Sequence, residues 1–163
     1  LSRSQSKESL GIPGLTRRLP CDLFECIEAH NAMPVATVKK IFRQIVEAVV
    51  YLYSLGIVHR DLKDENIVVD EDYNIKLIDF GSSSIFDFRK STTVTGSKDN
   101  SEEEPYFDKF NGTIAYAAPE IIKGQRYHPS EAEVWTLGVL LYTMLFRKSP
   151  FASTEEILSC KLN

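Results

Sequence analysis

Residues 57–81, IVHRDLKDENIVVDEDYNIKLIDFG, constrain this chain more than any other stretch. Two short runs, NIVV and IKLI, are apolar and rich in β-branched residues, and the polar DEDYN separates them. Together they predict a β-hairpin. A hairpin brings its ends together, so Asn66 at the entrance and Asp79 at the exit are expected to lie side by side. Asp61 and Lys63 stand just before it.

An amide and a carboxylate so placed offer oxygen ligands that suit Mg²⁺, which takes a few side-chain oxygens and completes its shell with water and substrate phosphates. Asp61, two residues before Lys63, is placed to accept a proton while the ammonium neutralises charge developing on a phosphate. Such parts suit phosphoryl transfer, where positioning and electrostatics supply nearly all the catalysis. The plainer reading makes His59, Arg60 and Asp61 an exposed, salt-bridged turn, with Asn66 and Asp79 as ordinary turn formers. Their spacing around one hairpin favours the site.

The remainder of the chain supplies a scaffold. Its 163 residues suffice for one domain with a real core. A net charge of −4 argues against nucleic acid as the main partner. Cys21, Cys26 and Cys160 have no metal-ligand spacing and leave an odd thiol, which favours a reducing compartment. No apolar run is long enough to span a bilayer and no secretory leader opens the chain, so a cytoplasmic or nuclear location and no membrane partner are expected.

Residues 1–20, rich in Ser, Gly, Pro and Arg, read as a flexible arm. CDLFECIEAH suggests a short helix with Asp22 near its start and Leu23, Phe24 and Ile27 on one side. In the stretch that follows, Pro34 suits a first helical turn, and Val38, Ile41, Phe42, Ile45, Val49 and Leu52 recur at helical spacing up to a stop at Gly56. Residues 82–110 show no period and read as a long loop, with Glu102, Glu103 and Glu104 as a solvated charge run. AEVWTLGVLLYTMLF is apolar nearly all round, the pattern of a helix inside a core. STEEILSCKL opens with a capping box, Ser153 and Glu156.

HRDLKDEN, DFG and APE, in that order, with a long helix before them and a buried one after, resemble the signature set of the C-terminal lobe of eukaryotic protein kinases. The resemblance covers about residues 22–151 and implies a mainly helical lobe carrying a small β-hairpin. It implies ATP and Mg²⁺ as cofactors and proteins with Ser or Thr acceptors as substrates. Asp61 would be the catalytic base, and Lys63 would contact the γ-phosphate. Asn66 and Asp79 would hold Mg²⁺, and Val68 would pack beneath the adenine ring. His59 and Phe80 would belong to the packed column that aligns the site, with Gly81 completing the DFG. Arg60 would recognise a phosphate on the loop between DFG and APE, a pocket that the acidic SEEEP stretch is hypothesised to fill instead. Glu120 would anchor that segment through an ion pair with a later arginine. Lys63 after Asp61, and Thr113 in GTIAYAAPE, follow the serine/threonine pattern. DLFECIEAH, GIVHRDLKDENIVVD, IKLIDFGSSS and GTIAYAAPE together look most like PAS-domain-containing kinases.

The pattern also departs from the family. No glycine-rich phosphate loop is present, and Lys7 is the only lysine before the long helix, so the N-terminal lobe is expected to be missing. Residues 21–163 would then be a partial kinase domain, truncated before its last helices. The arginine partner of Glu120 would be lost, and the apolar helix would be left partly bare. Glu133 stands where the family uses an aspartate to brace the catalytic loop, although PAS-kinase-like sequences tolerate it. The chain by itself is expected to be inactive or nearly so, and any PAS sensor would lie outside it. The competing readings are a non-catalytic, kinase-derived binding module and a small-molecule phosphotransferase of related fold.

Overall fold

A computed structural model of the chain describes residues 21–30, 32–86 and 106–162. The expected arm and the acidic run at 102–104 lie outside these residues. The scaffold is α2, Val35–Ser54, whose apolar residues fall every third or fourth position. Val38, Ile41, Ile45 and Val49 are buried on one face, as that spacing requires. Pro34 sits at the N-cap, just outside the first turn in which it was expected. The helix stops at Gly56, whose φ of 72° suits glycine and whose N–H closes on the Tyr53 carbonyl at 2.8 Å.

The predicted hairpin forms from β3, Ile67–Val69, and β4, Ile75–Leu77, in the register Ile67↔Leu77, Val68↔Lys76, Val69↔Ile75. Its turn is built around Asp70, whose Oδ1 accepts the N–H groups of Asp72 and Asn74 at 2.9 and 2.8 Å. A third strand, not expected from the sequence, pairs on the other edge: β1, Cys21–Asp22, lies antiparallel to β3. Asp22 can end a strand and cap a helix because an N-cap residue keeps extended dihedrals, here φ −72° and ψ 165°. Its Oδ1 accepts the Glu25 N–H at 2.7 Å at the start of α1, Leu23–Glu28. Leu23, Cys26 and Ile27 are the buried residues of α1, whereas Phe24, expected beside them, is exposed.

The loop expected from Ser82 begins with structure instead. Residues Ser84–Ile85 form β5, antiparallel to β2, Ile57–Val58. Two residues are too few to show a period, so the sequence carried no signal for this pair. Downstream lie α3, Pro119–Ile122, α4, Pro129–Phe146, and α5, Thr154–Ser159. α4 buries Ala132, Glu133, Val139, Leu140 and Met144, yet Val134 and Phe146 stay exposed. Uniform apolarity gave the helix no preferred face, and packing chose one. In α5 Ser153 caps the Glu156 N–H at 3.3 Å, while the Glu156 carboxylate reaches the Ala152 N–H at 2.6 Å.

The main core joins α1, α2, the hairpin and the Leu140–Met144 stretch of α4. A smaller cluster gathers Val139, Phe151 and Ile157, with Trp135 stacked on Phe151 at 5.4 Å between ring centroids. The polar loop between β2 and β3 is thus held by two strands and seated on two core helices.

Candidate active site

The loop leaves β2 at His59, which is fully buried. Its backbone N–H donates to Glu133 Oε1 at 2.8 Å, and Arg60 N–H reaches the same oxygen at 3.4 Å. The His59 ring lies between Ile78 and Phe80: Nε2 donates to the Ile78 carbonyl at 2.9 Å, and the Phe80 ring is 4.8 Å away. Burial lowers the His59 pKa, outweighing the Ile78 carbonyl and the Asp61 and Asp79 charges, which raise it. The ring is therefore neutral, with its proton on Nε2.

Arg60 adopts a φ of 68°. Its guanidinium donates to the Lys109 carbonyl and lies over the Phe107 ring, 4.9 Å from the centroid. The acidic stretch hypothesised to occupy this arginine lies outside the described residues.

Asp61 is hydrogen-bonded through both of its carboxylate oxygens. Its Oδ1 accepts the Thr113 hydroxyl at 2.8 Å, and its Oδ2 accepts Asn66 Nδ2 at 3.3 Å. Asn66 Nδ2 also donates to the Asp61 backbone carbonyl at 2.9 Å. Lys63 Nζ lies 3.9 Å from Asp61 Oδ2 and 3.1 Å from Glu65 Oε2. The hydrogen bond to Glu65, with the charges of Asp61 and Asp79, raises the Lys63 pKa and keeps it an ammonium. Both Lys63 and His59 therefore sense the Asp79 charge.

The hairpin closes the site as expected. Ile78 N–H donates to the Asn66 carbonyl at 3.0 Å, so Asp79 follows directly on a residue paired with Asn66. Asp79 is held in the left-handed region at φ 58°, and its Oδ1 accepts the Gly81 N–H at 3.2 Å within the turn Phe80–Ser82. Two non-glycine residues with positive φ, Arg60 and Asp79, thus stand before and after the hairpin, one next to Asp61 and the other a candidate metal ligand itself, and strain of this kind gathers at functional sites. Val68 lies between Asp22 and Lys76 on the sheet face opposite the buried Ile67 and Val69. Glu120 is half-buried in α3 and makes no ion pair among the described residues.

Two residues escaped the sequence reading. Asp64 is buried and accepts the Tyr116 hydroxyl at 2.8 Å. Burial raises both the Asp64 carboxyl and the Tyr116 phenol above their ordinary ranges, so the tyrosine stays protonated and donates. The one signal was spacing: Asp64 follows Asp61 by three residues, as Tyr116 follows Thr113.

The donor chemistry fits Mg²⁺. Asn66 uses its Nδ2 on Asp61, which leaves Oδ1 as a lone-pair donor, and the Asp79 carboxylate belongs to the residue after Ile78, whose N–H is paired with the Asn66 carbonyl. Among the described residues no three His, Cys, Asp or Glu side chains converge as a metal cage. A hard cation here would take few protein oxygens and the rest from phosphate and water, as Mg²⁺ does.

A family profile described as "Protein kinase domain" matches residues 17–162. The chain is 44% identical over 142 residues to the mouse "PAS domain-containing serine/threonine-protein kinase", covering 87% of this chain and 9% of that protein. It is 42% identical over 141 residues to the Schizosaccharomyces pombe "Serine/threonine-protein kinase ppk6", covering 86% of this chain and 16% of that protein. Identity to the Saccharomyces cerevisiae "Serine/threonine-protein kinase PSK1" is 42% over 137 residues, 84% of this chain and 9% of that protein. The chain thus spans less than a fifth of the length of these relatives. With the profile running through nearly all of its residues and through every group of the site, the chain belongs to the protein kinase family.

Proposed function

We propose that this chain carries the catalytic loop and metal ligands of a serine/threonine protein kinase, which transfers the γ-phosphate of ATP to Ser or Thr hydroxyls of proteins. The observation that carries the reading is the Asp61 carboxylate, which already accepts a side-chain hydroxyl, that of Thr113, at 2.8 Å. An acceptor serine or threonine would present its hydroxyl to the same group. Its oxygen bonds to the γ-phosphorus, the bond to the ADP oxygen breaks, and the proton passes to Asp61. Lys63, kept charged by its neighbours, offsets negative charge on the transferring group. Asn66 Oδ1 and the Asp79 carboxylate would hold Mg²⁺, which when bound neutralises phosphate charge. Val68, on the open sheet face, would meet the adenine ring.

On this reading residues 21–163 form the C-terminal lobe of the kinase domain. The likeness to PAS-domain-containing kinases supports a place in that subgroup. The three free thiols support a reducing, cytoplasmic or nuclear location.

The test is phosphate transfer from Mg·ATP to a Ser/Thr peptide by the chain and by a form extended with its native flanking sequence, each with and without Asp61→Asn. Transfer that Asp61→Asn abolishes is the expected result. No transfer by either form would instead favour a binding module derived from a kinase.

A further inference from the structure

Two short helical turns face each other across the site, Asp64–Asn66 and Ile114–Tyr116. Two hydrogen bonds join them, three residues apart on each side: Thr113 to Asp61 and Tyr116 to Asp64, both 2.8 Å. The first involves the proposed base. The second involves a carboxylate whose side chain is tied inward, to the Tyr116 hydroxyl and, at 3.1 Å, to the Glu65 N–H.

Tyr116 is fixed on two further sides. Its N–H donates to the Thr113 carbonyl at 3.0 Å, and its own carbonyl accepts the Thr136 hydroxyl of α4 at 3.0 Å. The Ile114–Tyr116 turn therefore rests on α4 through its backbone and on the loop through the Tyr116 ring. Its outer side, at Ala115 and Tyr116, forms one wall of a cleft that also takes in Glu28, Glu65, Thr143 and Lys148. Thr113 reaches both this cleft and Asp61, so the cleft begins where an acceptor hydroxyl would be presented.

We infer that Asp64 and Tyr116 are positioning residues for the acceptor peptide, their hydrogen bond holding the Ile114–Tyr116 turn at the distance from Asp61 that the peptide needs. Neither group touches the reacting atoms. Loss of the bond leaves the Asp64 carboxylate buried with one partner fewer and frees the turn on its catalytic side. The peptide, which lies along that turn, should sense the change, whereas the nucleotide, which lies against the hairpin, should not. This inference rests on the kinase reading above.

The experiment compares Tyr116→Phe, which removes only the hydroxyl, with Asp64→Ala and Asp64→Asn, the last keeping an oxygen to accept from Tyr116. Amide hydrogen exchange is followed in the chain itself, and peptide and ATP kinetics in the extended form. Tyr116→Phe and Asp64→Ala should speed exchange at Tyr116 and Ala117 by about tenfold, with Ile67–Leu77 unchanged, and Asp64→Asn should restore most of the protection. Peptide KM should rise by about fivefold or more while ATP KM stays within about twofold. Unchanged exchange at Tyr116 and Ala117 overturns the inference whatever the activity. So does a uniform loss of kcat and of both affinities together with a lowered Tm, which would make the pair merely structural. The expected exchange with no transfer by the unmodified extended form would overturn the kinase reading, and the positioning role with it.

Discussion

The Glu133 carboxylate of α4 accepts the His59 backbone N–H at 2.8 Å, joining two buried residues 74 positions apart. The bond fastens the start of the loop between β2 and β3 to the apolar helix α4. His59 then carries the connection onward, through its ring, to the Ile78 carbonyl and Phe80 beside Asp79. One buried acid thus sets the floor on which both ends of the site rest.

Replacing that acid should loosen the loop. Glu133→Ala would leave the His59 N–H buried without its acceptor, a loss of about 1–3 kcal/mol. Glu133→Gln keeps an oxygen in place and should lose less. Urea midpoints for the two variants give the comparison, and equal losses would show that the carboxylate oxygen contributes nothing through this bond.

The buried His59 predicts an acid-sensitive fold. Its pKa is lowered in the folded state, so below about 6.5 the unfolded chain takes up a proton that the folded chain resists. Stability from this residue is present above that pH and is lost as pH falls toward the folded value. Chemical denaturation at stepped pH from 8 to 5 should show the fall, and His59→Gln should flatten it. An unchanged profile in the variant would assign the acid sensitivity elsewhere.

Gln44 of α2 acts as an extra strand partner for the hairpin turn. Its Nε2 donates to the Tyr73 carbonyl at 2.8 Å, and its Oε1 accepts the Ile75 N–H at 3.3 Å. Gln44→Leu should destabilise the fold by about 1–2 kcal/mol and speed exchange of the Ile75 amide. If Ile75 exchanges at its original rate, Gln44 does not hold the turn.

Gly56 admits no side chain. A Cβ there would lie 2.3 Å from the Phe86 carbonyl oxygen, and its φ of 72° disfavours any L residue. Its own carbonyl accepts the Phe86 N–H at 2.8 Å next to the β2–β5 pair. Gly56→Ala should therefore lower stability by more than about 1 kcal/mol, read as a drop in Tm, and should release β5 from β2. A variant with unchanged Tm would mean that the Phe86 segment moves aside freely.

Much of the scaffold was legible because it obeys local rules. The period of Val38, Ile41, Ile45 and Val49 specified both α2 and its buried face. The alternation of two apolar runs around an Asp-rich turn specified the hairpin, and with it the approach of Asn66 to the start of the Asp79 turn. The strands β1, β2 and β5 were not legible, since two-residue pairings depend on what lies across from them. The contact of the Arg60 guanidinium with the Lys109 carbonyl was likewise not legible, since Lys109 stands 49 residues further on.

The order of residues alone determined which chemical groups exist and how far apart along the chain they stand: an acid, an ammonium, an amide and a second acid around one hairpin. Tertiary structure alone decided what each is bonded to. The Thr113 hydroxyl reaches Asp61 and the Tyr116 hydroxyl reaches Asp64 across 52 residues, and Glu133 reaches His59 across 74. Such contacts leave no local period or turn signature, because they are selected by burial: a polar group driven into the core with its apolar neighbours must find a partner there, wherever in the chain that partner lies.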